Sequence, residues 1–290
     1  MSYLDNINSP ADVKKLSLKE LEALAEEIRS AVLNRDSKIG GHVGPNLGIV
    51  ETTIALHYVF NSPEDKIVYD VSHQSYPHKI LTGRKNGFLT DEGMREISGY
   101  TNPAESEHDH FIVGHTSTSV SLACGLAKAR DLKGEKHNVI AVIGDGSLSG
   151  GEALEGLSNA AVLDSNIIIV VNDNEMSIAE NHGGLYGNLR LLRQTGGKAE
   201  CNMFKALGFD YRYLEEGNDI AKLTSLMKEV KDTDKPTVLH IHTEKGKGYK
   251  PAEEHKETWH WSVPFDIASG NPTVDLSGEN YNSITVNYLQ

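Results

Sequence analysis

The chain has 290 residues, of which 41 are acidic and 28 are basic, so its formal net charge at pH 7 is -13. A surface this acidic argues against nucleic acid or an anionic membrane as the main partner. Two cysteines argue against a disulfide framework, and because the sequence shows neither an amino-terminal signal nor an apolar run of about 18 residues, we expect a cytoplasmic protein.

The first predicted element is an amphipathic helix. It begins at a capping box, Ser17-Leu18-Lys19-Glu20. Apolar residues then follow at helical spacing: Leu21, Leu24, Ala25, Ile28 and Val32. Next along the chain, residues 67–71 predict a short strand, and residues 119–132 predict a helix rich in small side chains.

A βαβ unit is predicted in the middle of the chain. Residues 138–143 form an apolar run typical of a buried parallel strand, residues 151–163 show helical spacing, and residues 166–171 form a second apolar run. Residues 237–243 predict a further strand. The expected fold class is α/β, with a parallel sheet flanked by helices in one domain over residues 1–268. Residues 269–290 predict a linker and the start of a further element.

Polar motifs follow both strands of this unit. Gly144-Asp145-Gly146 comes after the first strand, and Asn172-Asp173-Asn174-Glu175-Met176 comes after the second. Because open α/β sheets bind ligands at the carboxyl ends of their strands, we expect the two motifs to meet. Asp145 and Asn174 offer the hard oxygen ligands that Mg²⁺ prefers, and glycines let backbone N–H groups approach phosphate oxygens. The sequence therefore predicts a site for a metal-bound diphosphate.

Plainer interpretations stay open for each motif alone, since Gly-Asp-Gly is a common turn and Asn-Asp-Asn can cap a helix. A dinucleotide loop fits poorly because Ser149 occupies the position of its third glycine, and no Gly-Lys-Ser/Thr sequence offers a P-loop. A zinc site at His108 and His110 lacks the further ligands that it needs. These two histidines are therefore expected to be exposed loop residues.

Together the two motifs resemble the signature of the thiamin diphosphate enzymes. Three further segments resemble the 1-deoxy-D-xylulose-5-phosphate synthase family within the transketolase-like superfamily: residues 37–48, residues 70–84 and residues 245–253. The resemblance runs from about residue 4 to about residue 266. It implies the diphosphate-binding domain of such an enzyme, with a shortened segment over residues 181–209. A pyrimidine-binding domain, carried by this chain's continuation or by a partner subunit, would begin within residues 269–290.

The resemblance implies a transferase of isoprene and thiamine biosynthesis that uses thiamin diphosphate and Mg²⁺. The enzyme would condense pyruvate with glyceraldehyde 3-phosphate to 1-deoxy-D-xylulose 5-phosphate, release CO₂ and act as a homodimer. Because the family's catalytic glutamate lies in the pyrimidine-binding domain, this chain is expected to be incomplete alone. Two alternatives stay open, a ketol transferase subunit acting on another sugar phosphate and a non-catalytic cofactor-binding module.

Residue roles also follow from the resemblance. The metal ligands would be Asp145, Asn174 and the backbone carbonyl of Met176. The residues that bind the cofactor would be His73, Gly114, His115, Thr116, Gly146, Ser147, Asn174 and Tyr249. His42 and His260 would be catalytic and face the reactive carbon of the cofactor, where an imidazole can move a proton near neutral pH. Lys245 and Lys247 lie in a glycine-rich turn and are expected to be solvated.

Some positions differ from the family's usual residues without touching the predicted metal ligands. Ser72 stands where glycine is usual, Thr116 where serine is usual and Ser147 where alanine is usual. Residues 215–219 and 261–263 also differ from the usual pattern. Because these differences spare the metal ligands, the sequence predicts binding of the cofactor more directly than it predicts the substrate.

Overall fold

The computed structural model describes residues 2–290. Its centre is a parallel sheet of five strands in the order β1-β2-β3-β5-β4. The strands are β1 (Lys66–Tyr69), β2 (Val139–Gly144), β3 (Ile167–Asp173), β4 (Asp210–Leu214) and β5 (Pro236–His242). Gly144 on β2 lies beside Asn172 on β3. The two polar motifs therefore leave neighbouring strands at the same edge of the sheet.

Fourteen α-helices occur within the described residues, several of them only one turn long. In chain order they are α1 (Pro10–Val13), α2 (Leu18–Ile39), α3 (Val43–Gly48), α4 (Val50–Val59), α5 (Tyr76–Lys79), α6 (Asn86–Leu89), α7 (Ser119–Lys133), α8 (Asp145–Leu148), α9 (Gly151–Ala160), α10 (Gly184–Gln194), α11 (Met203–Leu207), α12 (Ile220–Val230), α13 (Lys250–Glu254) and α14 (Tyr281–Leu289). None of the helices within residues 2–290 is long and apolar enough to cross a membrane.

Helices cover both faces of the sheet. Val139, Ala141 and Ile143 of β2 pack on one face with α7, α9 and α10. Ile140 and Val142 point to the other face and pack with α4 and α12. Because both faces are buried, the central strands are continuous apolar runs rather than alternating ones. The predicted α/β class with a parallel sheet flanked by helices is confirmed.

The long helix α2 packs beside the segments around residue 42 and residue 260. It begins as predicted, with the backbone N–H and the hydroxyl of Ser17 each 2.7 Å from the Glu20 carboxylate. Its apolar face packs into a cluster that also contains Trp259 and Phe265. Gly41 and Ser262 exchange two backbone hydrogen bonds of 2.9 Å. This pairing holds the segment around residue 260 against the segment around residue 42.

The predicted elements are all present, with ends that differ by a few residues. The helix expected over residues 151–163 ends at Ala160, and the strand expected over residues 67–71 ends at Tyr69. β4 and α12 were not expected, and neither were α10 and α11, which lie in the segment predicted to be shortened. Residues 269–290 carry α14, whose side chains are mostly exposed. The proposed boundary at residue 268 stays a prediction.

Candidate active site

A cavity of about 260 Å³ opens at the carboxyl ends of β2 and β3. It brings together nine of the predicted site residues, which come from distant parts of the sequence: His42, His73, Thr116, Asp145, Gly146, Ser147, Asn174, Met176 and His260. The two polar motifs therefore meet at one site, as their placement after parallel strands predicts.

Three predicted cofactor contacts are not among the residues that line this cavity. Gly114 and His115 are exposed, just before Thr116 in the chain. Tyr249 is buried against Trp259 and Phe265, with ring centroids 5.0 and 6.0 Å away, and its hydroxyl donates to the backbone carbonyl of Ile267. The structure thus gives Tyr249 a packing role beside the segment of His260, and its contact with a cofactor stays a prediction.

Asp145 provides the buried carboxylate of the site. Its exposure is 1%, and it accepts a hydrogen bond of 2.7 Å from Nδ2 of Asn181. Burial raises the pKa of Asp145 well above its usual range, and the negative charge of Asp173 raises it further. A cation beside this carboxylate would offset both effects. The oxygen donors present, namely this carboxylate, the Asn174 amide and a backbone carbonyl, therefore fit a hard divalent cation.

These three oxygen donors can hold a cation without a cluster of titratable side chains. Within residues 2–290, the structure contains no group of three or more His, Cys, Asp or Glu side chains arranged to hold a metal ion. A site that holds Mg²⁺ commonly uses only one or two carboxylates, with phosphate oxygens and water completing its shell. The donors present therefore suit a cation that arrives with a diphosphate.

Gly146 lets the start of α8 pass close to the loop after β3. A Cβ atom placed on Gly146 would lie 2.7 Å from Oγ of Ser177 and 2.9 Å from its Cα. These distances are too short for any side chain, so glycine is required where the chain passes the loop after β3. The close approach keeps Gly146 beside Ser177, and both residues line the cavity.

Three histidines lie side by side in the lining of the cavity and form its histidine wall. The ring centroids of His42, His73 and His260 lie 5.2 to 5.6 Å apart. Burial lowers the pKa of His42 to about 4 and that of His260 to about 3, with smaller contributions from nearby positive charges. Burial also takes the pKa of His73 well below its usual range. All three rings are therefore neutral at pH 7, so each can donate at one nitrogen and accept at the other.

The histidine wall has free hydrogen-bonding capacity. Nδ1 of His73 and Nδ1 of His260 are buried and have no hydrogen-bond partner in the described part of the chain. The amide Nε2 of Gln74, which also lines the cavity, is buried and unpartnered in the same way. Buried polar atoms are rarely left unpaired in folded proteins. Because the three side chains with these unpaired atoms line the same cavity, they indicate a polar ligand there.

Asn46 fixes the two histidine loops to each other, a role that the sequence did not reveal. Its Nδ2 donates to the backbone carbonyls of His42 and His73, at 2.7 and 2.8 Å, and its Oδ1 accepts from the backbone N–H of Tyr76. Asn46 is fully buried. The only signal in the sequence was its place in the glycine-rich segment 37–48.

Lys245 is a second site residue that sequence reasoning missed. The expectation of a solvated lysine is wrong, because Lys245 is 1% exposed and lines the cavity. Its Nζ donates to the carbonyl of Ser177 at 2.7 Å. Burial lowers its pKa to about 8, while the charge of Asp145 acts in the opposite direction. Lys247 is partly buried and its carbonyl accepts from Nε of Arg29.

Asp173, the central residue of the second motif, points away from the cavity into a buried network. Its Oδ2 lies 2.8 Å from Nε2 of His240 and 2.5 Å from NH1 of Arg193. Burial alone would raise the pKa of Asp173, but these two partners lower it to about 2. Arg193 belongs to α10. The network therefore ties the segment predicted to be shortened to the loop that carries the predicted metal ligands.

The backbone before His73 is left-handed at two residues that are not glycine. Val71 has φ of 57° and Ser72 has φ of 65°, which is uncommon for any side chain and rare for a β-branched one. The Ser72 hydroxyl donates to the Val113 carbonyl and accepts from the Thr101 N–H, each at 3.0 Å. This geometry explains why glycine suits position 72 and how serine is tolerated there.

His108 and His110 lie away from the cavity and are half-buried, so the expectation that they are exposed is wrong. Nδ1 of His108 lies 2.8 Å from the hydroxyl of Ser62. Between the two histidines, Asp109 is buried and accepts hydrogen bonds from both terminal nitrogens of Arg84. The pairing of Asp109 with Arg84 therefore holds this segment against the residues that follow α5.

Comparison with known proteins identifies the same family that the motifs resemble. The family model of 1-deoxy-D-xylulose-5-phosphate synthase matches residues 4–199 and 190–243. A 1-deoxy-D-xylulose-5-phosphate synthase of Listeria monocytogenes is 47% identical over 278 residues, covering 93% of this chain and 46% of the relative. That of Pelotomaculum thermopropionicum is 43% identical over 302 residues, covering 92% of this chain and 47% of the relative. The chain spans about half the length of these curated relatives.

The alignments also bear on the segment predicted to be shortened. The alignment with the Pelotomaculum relative is longer than this chain, so that relative has residues that the chain lacks. The two stretches matched by the family model meet at residues 190–199, inside the segment 181–209. At similar coverage the Listeria alignment is shorter, at 278 residues. The shortening of residues 181–209 stays a prediction.

Solved structures show the same fold. A transketolase of Campylobacter jejuni superimposes with a TM-score of 0.66 at 20% identity, over 93% of this chain and 46% of that one. A transketolase of Leishmania mexicana gives 0.63 at 20% identity, over 94% and 44%. The likeness concerns the fold alone, whereas the family model matches well over half of the chain. The chain belongs to the 1-deoxy-D-xylulose-5-phosphate synthase family.

Proposed function

We propose that this chain binds thiamin diphosphate and Mg²⁺ as the diphosphate-binding part of an enzyme that condenses pyruvate with glyceraldehyde 3-phosphate. The product would be 1-deoxy-D-xylulose 5-phosphate, with release of CO₂. The observation that carries the proposal is the single cavity in which the Asp145 and Asn174 motifs meet three neutral histidines. The relatives' name supplies the product.

The oxygen donors and the lysine would hold the charged end of the cofactor. In the proposed site the Asp145 carboxylate, the Asn174 amide oxygen and the Met176 carbonyl hold Mg²⁺. Gly146 would offer its backbone N–H to the diphosphate at the start of α8. Lys245 brings a positive charge onto the same wall from inside the protein, where the low polarity of the surroundings strengthens its attraction to phosphate.

The histidine wall would serve the reacting end. When bound, thiamin diphosphate supplies the nucleophilic carbon and the electron sink that decarboxylation of a 2-oxo acid needs. His42 and His260 are neutral, so either ring can donate a hydrogen bond to a substrate oxygen at one nitrogen and accept one at the other. His73 and Asn46 hold His42 in place through ring packing and backbone hydrogen bonds.

A calorimetric titration of thiamin diphosphate into the chain, with Mg²⁺ and again with EDTA, tests the binding part of this proposal. We expect saturable binding with Mg²⁺ and none with EDTA. Equal binding in both solutions would contradict the metal assignment. Failure to bind in either solution would contradict the proposal that residues 1–268 bind the cofactor by themselves.

The remaining parts of the proposal concern the assembled enzyme. We infer that residues 269–290 are a linker and the start of a pyrimidine-binding domain, which this chain's continuation or a partner subunit would supply. We also infer that the enzyme is a cytoplasmic homodimer. With that domain supplied, CO₂ release from pyruvate supports the synthase. Ketol transfer from a ketose phosphate without CO₂ release would indicate a transketolase-like reaction instead, and cofactor binding without either turnover would indicate a non-catalytic module.

A further inference from the structure

Asn181 contacts the predicted metal ligand directly, yet neither the motifs nor the proposed function uses it. Its Nδ2 donates to Oδ2 of Asp145 at 2.7 Å. The other amide atom of Asn181, Oδ1, is buried and has no hydrogen-bond partner anywhere in the described chain. The amide of Asn181 therefore has one hydrogen bond to a carboxylate and one free oxygen, which a further polar group beside it could pair with.

The turn that carries Asn181 also carries a predicted ligand. Met176 and Glu180 pair in an antiparallel bridge, so the chain folds back on itself immediately after the second motif. This return places Asn181 next to Asp145. The position of the Met176 carbonyl and the position of the Asn181 amide are therefore set by the same few residues.

Asn181 lies at the boundary between the cavity and an open groove. The groove is lined by Asn181 and Glu180 and shares Asn174 and Met176 with the cavity. The hydrogen bond from Asn181 to Asp145 thus lies on the outer side of the ligand set. A side chain in this place can orient the carboxylate without blocking the cavity in which a diphosphate would lie.

We propose that Asn181 is a positioning residue for the cation, which fixes Oδ2 of Asp145 so that Oδ1 is presented as the ligand. This inference rests on the proposed function, because it requires Asp145 to bind the metal. Hydrogen-bond partners of ligating carboxylates hold the ligand orientation, and their removal lowers metal affinity by roughly 10–100-fold. Asn181 therefore controls the concentration of Mg²⁺ at which the cofactor binds.

The test measures how thiamin diphosphate binding depends on Mg²⁺. Calorimetric titrations of the wild-type chain, Asn181→Ala and His182→Ala are run at a series of fixed Mg²⁺ concentrations. His182 is the exposed neighbour of Asn181 and serves as the matched control. We expect Asn181→Ala to need about 10–100 times more Mg²⁺ for half-maximal binding, whereas its cofactor affinity at saturating Mg²⁺ equals that of the wild type.

Each other result overturns the inference. If Asn181→Ala and His182→Ala share the wild-type Mg²⁺ dependence, Asn181 does not position the ligand. If Asn181→Ala binds weakly even at saturating Mg²⁺, the residue acts on the cofactor or on the fold, and the melting temperature without ligand separates these two cases. If the wild-type chain itself does not bind, the proposed function fails together with the inference, a result that is visible before any variant is compared.

Discussion

The surroundings of Asp145 disfavour the ionised form of its carboxyl group. Burial and the neighbouring Asp173 raise its pKa, so in the folded chain without metal the ionised form is unfavourable. A group whose pKa is raised on folding contributes stability at low pH and loses it as the pH rises through its folded pKa. At neutral pH Asp145 therefore destabilises the metal-free chain, which is expected of a carboxylate whose partner is a cation.

We predict that Asp145→Asn separates binding from folding. The substitution removes a ligand charge and should weaken Mg²⁺-dependent cofactor binding by more than the roughly 100-fold upper range for indirect partners. It also removes the unfavourable buried charge, so without metal the variant should melt at the same temperature as the wild type or higher. Calorimetry and thermal unfolding measure the two effects. Asp91→Asn, at an exposed ion pair with Lys38, is the matched control and should change neither.

The histidine wall predicts a pH dependence of stability. A histidine has an ordinary pKa of about 6.5, and burial lowers that of His42 to about 4. Protons therefore bind the unfolded chain more readily within this window, and stability falls as the pH drops from about 6.5 towards 4. His73, His260 and Lys245 face the same space and oppose a positive charge there.

His42→Gln tests this dependence because glutamine does not titrate. Between pH 7 and pH 5 the wild type should lose more free energy of unfolding than the variant, by at most about 1.4 kcal/mol per pH unit. Urea unfolding of both chains at pH 7, 6 and 5 gives the difference directly. Parallel losses in the two chains would mean that His42 does not stay neutral in the folded state. His255→Gln supplies a control for a histidine that does not line the cavity.

At the scale of elements, a buried ion pair adds to the apolar packing of α10 against the sheet. NH1 of Arg193 lies 2.5 Å from Oδ2 of Asp173, and both side chains are almost fully buried. Removing one partner of a buried pair leaves an uncompensated charge, which typically costs about 3–5 kcal/mol. Because His240 remains beside Asp173, the lower end of this range applies.

We predict that Arg193→Met lowers the free energy of unfolding by about 3 kcal/mol. Arg190→Met is the matched control, because Arg190 lies on the same helix but is exposed, and it should change stability by less than about 0.5 kcal/mol. Equilibrium denaturation in urea measures both variants. An equal loss in both would mean that helix packing rather than the ion pair is responsible.

The same elements show what the sequence could and could not predict. β2 and β3 are continuous apolar runs that end in polar motifs, so both the strands and the meeting of Asp145 with Asn174 were predictable. β4 was missed because Asp210–Leu214 is a half-exposed edge strand with polar residues between its apolar ones. α10 was missed because it begins at Gly184 and carries a second glycine at 187, which weaken a helix signal, and α11 is only five residues long.

Contacts that join distant segments could not be read from local pattern. Asn46 and Lys245 lie in glycine-rich stretches that by themselves indicate turns, and only the packed structure places them around the cavity. Asn181 reaches Asp145 across 36 residues of sequence. Tyr249 shows the opposite limit, because its motif predicts a cofactor contact while its ring packs against Trp259. The motifs therefore predicted the residues that line the cavity better than the residues that support them.

At the scale of the whole molecule, the cavity wall brings together the predicted metal ligands, a buried lysine and neutral imidazoles. In the thiamin diphosphate enzymes that the sequence resembles, a glutamate from the pyrimidine-binding domain activates the cofactor. The chain spans about half the length of its curated relatives, and no Glu side chain is among the residues that line the cavity. We therefore propose that the groups that hold the cofactor are on this chain and that the group that activates it lies in a pyrimidine-binding domain.

We therefore predict that the chain alone binds thiamin diphosphate with Mg²⁺ but releases no CO₂ from pyruvate above the background of the free cofactor. Supplying a pyrimidine-binding domain as a separate polypeptide should produce CO₂ release that depends on glyceraldehyde 3-phosphate, because the acceptor removes the product of the first step. Asp145→Asn in the same mixture should abolish this release, since the cofactor is then not held. CO₂ release by the unmixed chain would show that its own residues suffice to activate the cofactor.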